Sequence, residues 1–432
     1  MKNCRRWRRR ASNLKPEFKA KKGWLETHLW HSKRCKMIDY CGFKVAAHLN
    51  EKCLKSTYRA STSGVLLHDF SYWQPFWMDT IDLNKLTSIY GHENTLNITL
   101  EHENTQICPV KIIRNAFDKH LLFLHPAAVE TGILEAQCFK EFLELLGISV
   151  SSASKDICTF KLHGPKSEQV LKDFFNLAEQ SLNFPLKIEM TDPRLGKVET
   201  ALKSSLSIDS QNQILSDDQI NAAKSELFIT DSVNIIKPEK IPIIVSKCNL
   251  EYFMICPKKW ARVIWYNFIK IKPIKVAGIE QVDLIAFENE NPVYPNDFVG
   301  SPAYKIHSES RKFQLETIHN RKPPAKRPNY ANLGITSPFV APFNELNCPL
   351  RKCVVEIEGK GIITERAEIF TDSMILIGYV TSATKASLNK GRSTAIASVN
   401  ANFSNSETTL SVLVRNLCSP DTFRKATLKF IK

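Results

Sequence analysis

The residues with the clearest chemistry lie near the start of the chain. Arg5, Arg6, Arg8, Arg9 and Arg10 form one run, with Trp7 inside it. Guanidinium forks match phosphate oxygens two at a time and also stack on bases. An indole among them can stack on an exposed base, a contact worth ~1–3 kcal/mol. The pattern points to a polyanion, with nucleic acid ahead of anionic lipid. A merely solvated tail leaves Trp7 without a role. The basic character continues through Lys21, Lys22, Lys33 and Arg34.

A second constellation combines Trp24, His28, Trp30 and His31 with Cys35 and Cys41. At helical spacing Trp24, His28, His31, Cys35 and Ile38 share one face, which predicts a helix over residues 24–38. His28, His31, Cys35 and Cys41 look like half a zinc site. Structural zinc usually draws two ligands from a tight knuckle, and no knuckle is written here. Packing and RNA stacking by a Trp/His face is the better reading, and no metal or cofactor is expected.

A third is the basic stretch 311–330, with Arg311, Lys312, Arg321, Lys322, Lys326 and Arg327 against Glu316. Pro323, Pro324 and Pro328 predict an extended backbone there rather than a helix. Other short signals are weaker. Gly359-x-Gly361 reads as a hairpin turn. Gly164-Pro165-Lys166-Ser167 echoes a phosphate loop but lacks its earlier glycine, so it reads as a turn. Asp217-Asp218 sits in polar surroundings as solvated charge. The catalytic signatures of hydrolases, metalloproteases and kinases are missing, and nothing argues for an enzyme.

The elements that position these groups follow from composition and pattern. The chain has 432 residues, is 43% hydrophobic and 24% charged, and carries a net charge of +15. That suits two or three folded domains and excludes wholesale disorder. Residues 1–36 hold 13 Lys/Arg against 2 Asp/Glu, so most of the charge sits on one arm. The longest apolar run, 374–380, is far shorter than the ~20 residues of a membrane span. The start is basic but has no apolar stretch before Trp24, which is not the pattern of a secretory signal. Arg5 to Arg10 fit a nuclear localisation signal better than a transit peptide. Twelve scattered cysteines without a Cys-x-x-Cys pair are expected to be reduced thiols.

Short strands are expected at 110–113, 121–124, 156–163, 186–190 and 241–245, with helices at 135–146 and 166–182. Residues 199–236 read as a polar insertion or linker. Residues 248–300 are aromatic and punctuated by proline, without a clear period. A hairpin of 353–358 with 362–370, then strands at 374–382, 393–399, 408–415 and 426–431, would close a terminal barrel or sandwich. The expected divisions are 1–60, a basic arm and Trp/His helix; 61–198, an α/β module; 199–236, the insertion; 237–345, a middle domain with the basic Pro-rich strand; and 346–432, a β domain.

Three motifs together resemble a known family. They are Trp24-Leu-Glu-Thr-His-Leu-Trp-His-Ser-Lys-Arg34 with Thr57-Tyr58-Arg59-Ala60 and Leu67-His68-Asp69-Phe70-Ser71-Tyr72; Lys322-Pro-Pro-Ala-Lys-Arg-Pro-Asn-Tyr330; and Ile377-Gly378-Tyr379-Val380-Thr381-Ser382 with Lys390-Gly391-Arg392 and Val414-Arg415-Asn416. In that order they resemble the largest protein subunit of eukaryotic ribonuclease P and ribonuclease MRP. The resemblance implies an α+β body similar to the aminomethyltransferase of the glycine cleavage system, a terminal β-barrel and a basic N-terminal arm. In that fold 160–171 would be a strand–turn–helix element. It implies a non-catalytic scaffold that binds the RNAs of both particles, docks other protein subunits and meets precursor tRNA indirectly, in the nucleus and nucleolus and away from membranes. The family's Gly/Trp-rich middle run is represented here by Pro257, Lys258, Trp260 and Trp265, with no glycine among them.

RNA is favoured over duplex DNA because no helix-turn-helix, basic zipper or zinc finger is written in the chain. Phosphate contacts are expected from Arg5, Arg6, Arg8, Arg9, Arg10, Lys33 and Arg34. Trp7, Trp24, His28, Trp30 and His31 are expected to pack and stack. A second contact set is expected from Tyr58, Arg59, Arg321, Lys322, Lys326, Arg327 and Tyr330. Two other readings stay open: a folate-dependent aminomethyltransferase-like enzyme, and a general RNA chaperone.

Overall fold

Cys41 and Gly42 both take positive φ, 47° and 75°. That geometry makes a tight hairpin whose twist matches its strands. It joins β1 (Cys35–Tyr40) to β2 (Phe43–Leu49), which pair antiparallel. The ladder takes the second half of the predicted 24–38 helix, and only α1 (His28–Ser32) remains helical.

The computed structural model describes residues 21–431, apart from 52–53, 81, 83–94, 103–104, 118, 131–148, 178–181, 195–197, 208–239, 333–334, 336–337, 347 and 404–408. The arginine run with Trp7, the helix expected at 135–146 and most of the polar insertion lie outside the described residues. The chain divides into two compact units, one built mainly from residues up to 282 and one from 283 onward.

The first unit is organised by a seven-stranded sheet. In chain order its strands are β3 (Val65–Asp69), β9 (Ile157–His163), β10 (Leu186–Met190), β11 (Thr200–Leu202), β12 (Ile241–Cys248), β13 (Glu251–Pro257) and β14 (Ile274–Val276). The spatial order is β11-β10-β12-β13-β9-β3-β14. All neighbours are antiparallel except β14, which runs parallel to β3 and forms the edge. Both faces of the sheet are covered. Ile243, Val245, Tyr252, Met254 and Cys256 face one core, with the apolar sides of α4 (Ser167–Phe175) and α5 (Ala261–Phe268). Ile244, Phe253 and Ile255 alternate to the other face and meet Phe70, Trp73, Leu121 and Phe123. A strand buried on both faces reads as a continuous apolar run, which is why 241–245 is legible in the sequence.

The second core is shared with a five-stranded sheet, β5 (Thr95–His102), β6 (Thr105–Ala116), β7 (Lys119–Leu124), β4 (Gln74–Met78) and β8 (Val150–Ser152), in that spatial order. Helix α2 (Leu54–Ser63) precedes β3, and the short α3 (Pro126–Glu130) follows β7. Helix α4 is shorter than its apolar period predicts. Asn176 takes a left-handed conformation, φ 50°, and closes the last turn on the Lys172 carbonyl.

Helix α6 (Ile279–Glu288) begins in the first unit and ends in the second, where α7 (Pro302–Arg321) and then a closed barrel follow. The barrel strands are β15 (Leu350–Ile357), β16 (Glu368–Phe370), β17 (Leu376–Thr384), β18 (Thr394–Asn400), β19 (Thr409–Arg415) and β20 (Phe423–Phe430). Their closed order is β15-β18-β17-β16-β19-β20. The expected hairpin of 353–358 with 362–370 does not form. β15 pairs with β18 and β20, while β16 pairs with β17 and β19, because closure separates them around the barrel. Cys353, Val355 and Ile357 alternate inward to meet Val380, Ala397 and Leu428.

None of the nine described cysteines is joined in a disulfide. No helix among the described residues is long and apolar enough to cross a membrane.

Candidate nucleic-acid interface

The Trp/His segment is built inward. Trp30 is 7% exposed and sits edge-on to Trp265, ring centroids 5.6 Å apart. His31 is 3% exposed, tilts against Trp265 at 4.9 Å, and donates from Nδ1 to the Thr27 carbonyl at 3.1 Å. Burial holds its pKa at about 4, so the ring is neutral. His28 is buried and stacks on Trp24 at 3.9 Å, and burial lowers its pKa too. The expected stacking of His28, Trp30 and His31 on RNA is therefore corrected: their rings belong to the core and offer no face to a base. Trp24 is half-buried beneath the Lys21 ammonium, 5.6 Å from its ring. The Arg34 guanidinium lies over Trp30 at 4.7 Å and donates to the Trp30 carbonyl at 3.3 Å. Lys33 points to solvent.

The polar residues of 67–72 lock this segment down. Thr27 donates its hydroxyl to the Asp69 carboxylate. The Ser71 amide donates to Asp69 Oδ1 at 3.0 Å. Burial raises the Asp69 pKa, and these two bonds oppose the rise. His68 Nδ1 lies 3.0 Å from the Ala277 carbonyl and Nε2 lies 3.2 Å from the Tyr72 hydroxyl. A carbonyl only accepts, so Nδ1 carries the proton and Nε2 accepts from Tyr72. Burial keeps His68 neutral. The cavity beside His68 and Asp69 measures about 10 Å³, the size of one water and far below that of an organic substrate. Asp69 and His68 lie inside a family motif, and their residue types alone assign them no role. The signal was a run of five buried residues, Val65–Asp69, in which an Asp and a His must find partners.

The second contact set divides. Tyr58 and Arg59 lie on α2 in the first unit, Tyr58 half-buried and Arg59 exposed. The other members lie in the second unit and are not all extended. Arg311, Lys312 and Arg321 are on the twenty-residue helix α7, contrary to the extended backbone expected there. Ser301 caps its start by accepting from the Tyr304 amide at 3.2 Å, with Pro302 in the first turn. Proline acts only on its neighbours, so the helix runs up to Arg321 and stops at Lys322, the residue before Pro323.

Arg327 then folds back. Its Nε donates to the Lys322 carbonyl at 2.7 Å and its Nη2 to the Asn320 carbonyl at 2.5 Å. Those are end carbonyls that a helix leaves open. Tyr330 packs its ring against His319 at 5.5 Å and Phe339 at 5.6 Å. Arg327 and Tyr330 thus hold the chain's own structure. Arg321, Lys322 and Lys326 are exposed, with no acid partner among the described residues.

The third motif is internal too. Asp297 is fully buried and accepts from the hydroxyls of Thr381 and Ser382, both at 2.6 Å, and from the Val293 amide at 2.8 Å. Glu288 accepts from Ser387 at 2.6 Å and from the Leu388 and Asn389 amides. Lys390 is held between Glu290 at 2.7 Å and Glu356 at 3.0 Å. No cluster of three or more His, Cys, Asp or Glu suited to a metal occurs among the described residues.

Two family models match this chain. One, described as the N-terminal part of the ribonucleases P/MRP protein subunit POP1, covers residues 2–81. The other, the POPLD (NUC188) domain, covers residues 251–343. The human ribonucleases P/MRP protein subunit POP1 is 32% identical over 146 residues, 31% of this chain and 14% of the human protein. The fission-yeast subunit pop1, from Schizosaccharomyces pombe, is 22% identical over 520 residues, 92% of this chain and 73% of its own. The crystal structure of glycine cleavage system aminomethyltransferase T from Bartonella henselae matches with a TM-score of 0.57 and 14% identity, covering 95% of this chain and 96% of that one. The body thus has the aminomethyltransferase fold, ending in the closed barrel.

Proposed function

Because this chain belongs to the POP1 family of ribonuclease P/MRP protein subunits, we propose that it is a non-catalytic RNA-binding scaffold of ribonuclease P and ribonuclease MRP. In this reading the RNA performs the phosphodiester chemistry. The protein braces it for removal of 5′ leaders from precursor tRNA and for ribosomal RNA processing, in the nucleus and nucleolus. Its partners are the two RNAs and the other protein subunits, with precursor tRNA met indirectly.

One observation carries the proposal. Within the family segments, four buried groups able to do acid–base chemistry are held by internal ties, while several cations face solvent. His31, His68, Asp69 and Asp297 are buried and bonded within the fold. Lys33, Arg59, Arg321, Lys322 and Lys326 are exposed without an acid partner among the described residues. Exposed cations of this kind, in each unit, grip phosphates and leave the chemistry to the partner. The aminomethyltransferase likeness concerns the fold alone, and fold is weak evidence for function.

The test is a filter-binding titration of the full chain. Transcribed ribonuclease P RNA should bind far more tightly than polyuridine of equal length. If six to ten phosphates are neutralised, affinity should drop ~10³–10⁵-fold between 50 and 200 mM salt by the duplex-DNA estimate, and less for irregular RNA. Equal affinity for both RNAs would favour a general chaperone. Tetrahydrofolate binding in a calorimeter, without RNA binding, would return the chain to the enzymes.

A further inference from the structure

We propose that the β14 edge of the seven-stranded sheet is a second phosphate-binding surface, separate from the arginine arm, that seats a double-helical stretch of RNA. The proposal rests on the RNA-binding reading above.

Two elements meet at this edge. Helix α2 presents Lys55 and Arg59 one turn apart on its outer face, opposite the buried Thr57 and Ser61. The segment before and through β14 carries Lys270, Lys272 and Lys275. The parallel pairing of Ile274 with Val65 sets this segment beside the strand that leaves α2. The Lys275 ammonium donates to the Ser56 hydroxyl, which joins the two elements directly. Lys166 adds a sixth cation, since its amide donates to the Gly64 carbonyl at 3.3 Å, at the end of α2. That approach needs glycine at 164, where a Cβ would meet the Gly64 carbonyl oxygen at 2.5 Å.

The charge is uncompensated. Neither α2 nor residues 269–276 contains an acid. Lys270 donates to Asn267, Lys275 to Ser56, and no acid partner is found for any of the six among the described residues. Elsewhere the same unit pairs its cations: Lys161 and Lys111 with Glu251, Arg262 with Glu26, Lys247 with Glu168. A lysine on an edge strand also keeps foreign strands from adding. That role accounts for Lys275. It does not account for Lys55 and Arg59 on a helix, or for Lys270 and Lys272 ahead of the strand.

The ligand class follows from what is missing. An arm with an indole can stack unpaired bases, whereas this edge offers cations and only the half-buried ring of Tyr58. A surface without stacking platforms favours RNA whose bases are already paired and whose phosphates face outward.

The experiment compares the full chain with two variants. In the edge variant Lys55, Arg59, Lys270 and Lys272 become Gln; in the arm variant the five clustered Arg become Gln. The probes are a 20-base-pair RNA hairpin and polyuridine of equal length. Circular dichroism and thermal melting should be unchanged in the edge variant, since all four side chains are exposed. Its affinity for the hairpin should fall at least tenfold, with a salt slope smaller by about four, while polyuridine binding is kept. The arm variant should lose polyuridine binding more than hairpin binding. Hairpin binding by the edge variant equal to that of the unaltered chain overturns the proposal and leaves the functional reading standing. Failure of the unaltered chain to bind any RNA overturns both.

Discussion

The Arg327 guanidinium donates to the Asn320 carbonyl at 2.5 Å, seven residues back, and closes the open end of helix α7. A residue written inside a basic, proline-rich stretch is thus a helix cap. Arg327→Ala should lower stability by about 1–2 kcal/mol, by loss of two bonds from a charged donor. Lysine should not rescue it, because one ammonium cannot span both carbonyls as the fork does. Ala at Arg321, Lys322 or Lys326 should leave the melting temperature nearly unchanged and weaken RNA binding. Thermal melts beside RNA titrations separate the two classes, and a silent Arg327→Ala melt would contradict the capping role.

Trp30 should behave as a core residue. Trp30→Ala removes the ring against Trp265 and the seat of the Arg34 guanidinium, at a cost of ~3–5 kcal/mol. Urea unfolding measures this directly. Lys33→Gln, three residues along the chain but in solvent, should leave the urea midpoint alone.

Asp297 should be needed for the barrel to keep its entry segment. Asp297→Ala removes the acceptor shared by the Ser382 hydroxyl, the Val293 amide and the Thr381 hydroxyl, of which only Thr381 keeps another acceptor, the Ile396 carbonyl. Each buried donor left unpaired costs ~1–3 kcal/mol. Limited proteolysis near residue 297 should speed up, and unchanged cleavage would count against the tie.

Acid should weaken the first unit. Burial holds His31 at about 4 and His125 at about 3, and lowers His68. The unfolded chain protonates these rings near the ordinary histidine value of about 6.5. Their stabilising contribution is therefore complete above that pH and declines as pH falls toward about 4 for His31 and about 3 for His125. Asp69 works the other way, since its raised pKa lets the folded form take up a proton first. The melting temperature should drop steadily between pH 6.5 and 4. His31→Gln should flatten that drop while lowering the curve as a whole.

The fold was legible where burial writes a period. Ile241–Val245 is buried on both faces and shows as an apolar run, while Ile157–His163 is buried through Phe160 and then alternates, with Lys161 and His163 half-buried. It was hidden where a few local bonds decide. The 24–38 face fits a helix, but the left-handed pair at Cys41 and Gly42 commits 35–40 to a hairpin. α7 has hydrophilic residues nearly all round, so its period is faint, and the prolines beyond it masked it. The site showed the same split. Exposed cations such as Arg59 and Lys322 are visible in a sequence as charge. Whether a given Arg faces solvent or caps a helix, as Arg327 does, depends on carbonyls that no residue type announces.

The most direct measurement is to tag the full chain, purify it from cells at moderate salt and sequence the bound RNA, assaying the same fraction for cleavage of precursor tRNA. The account predicts one or two structured noncoding RNAs and removal of the 5′ leader. A broad spread of messages, or no RNA at all, would contradict it.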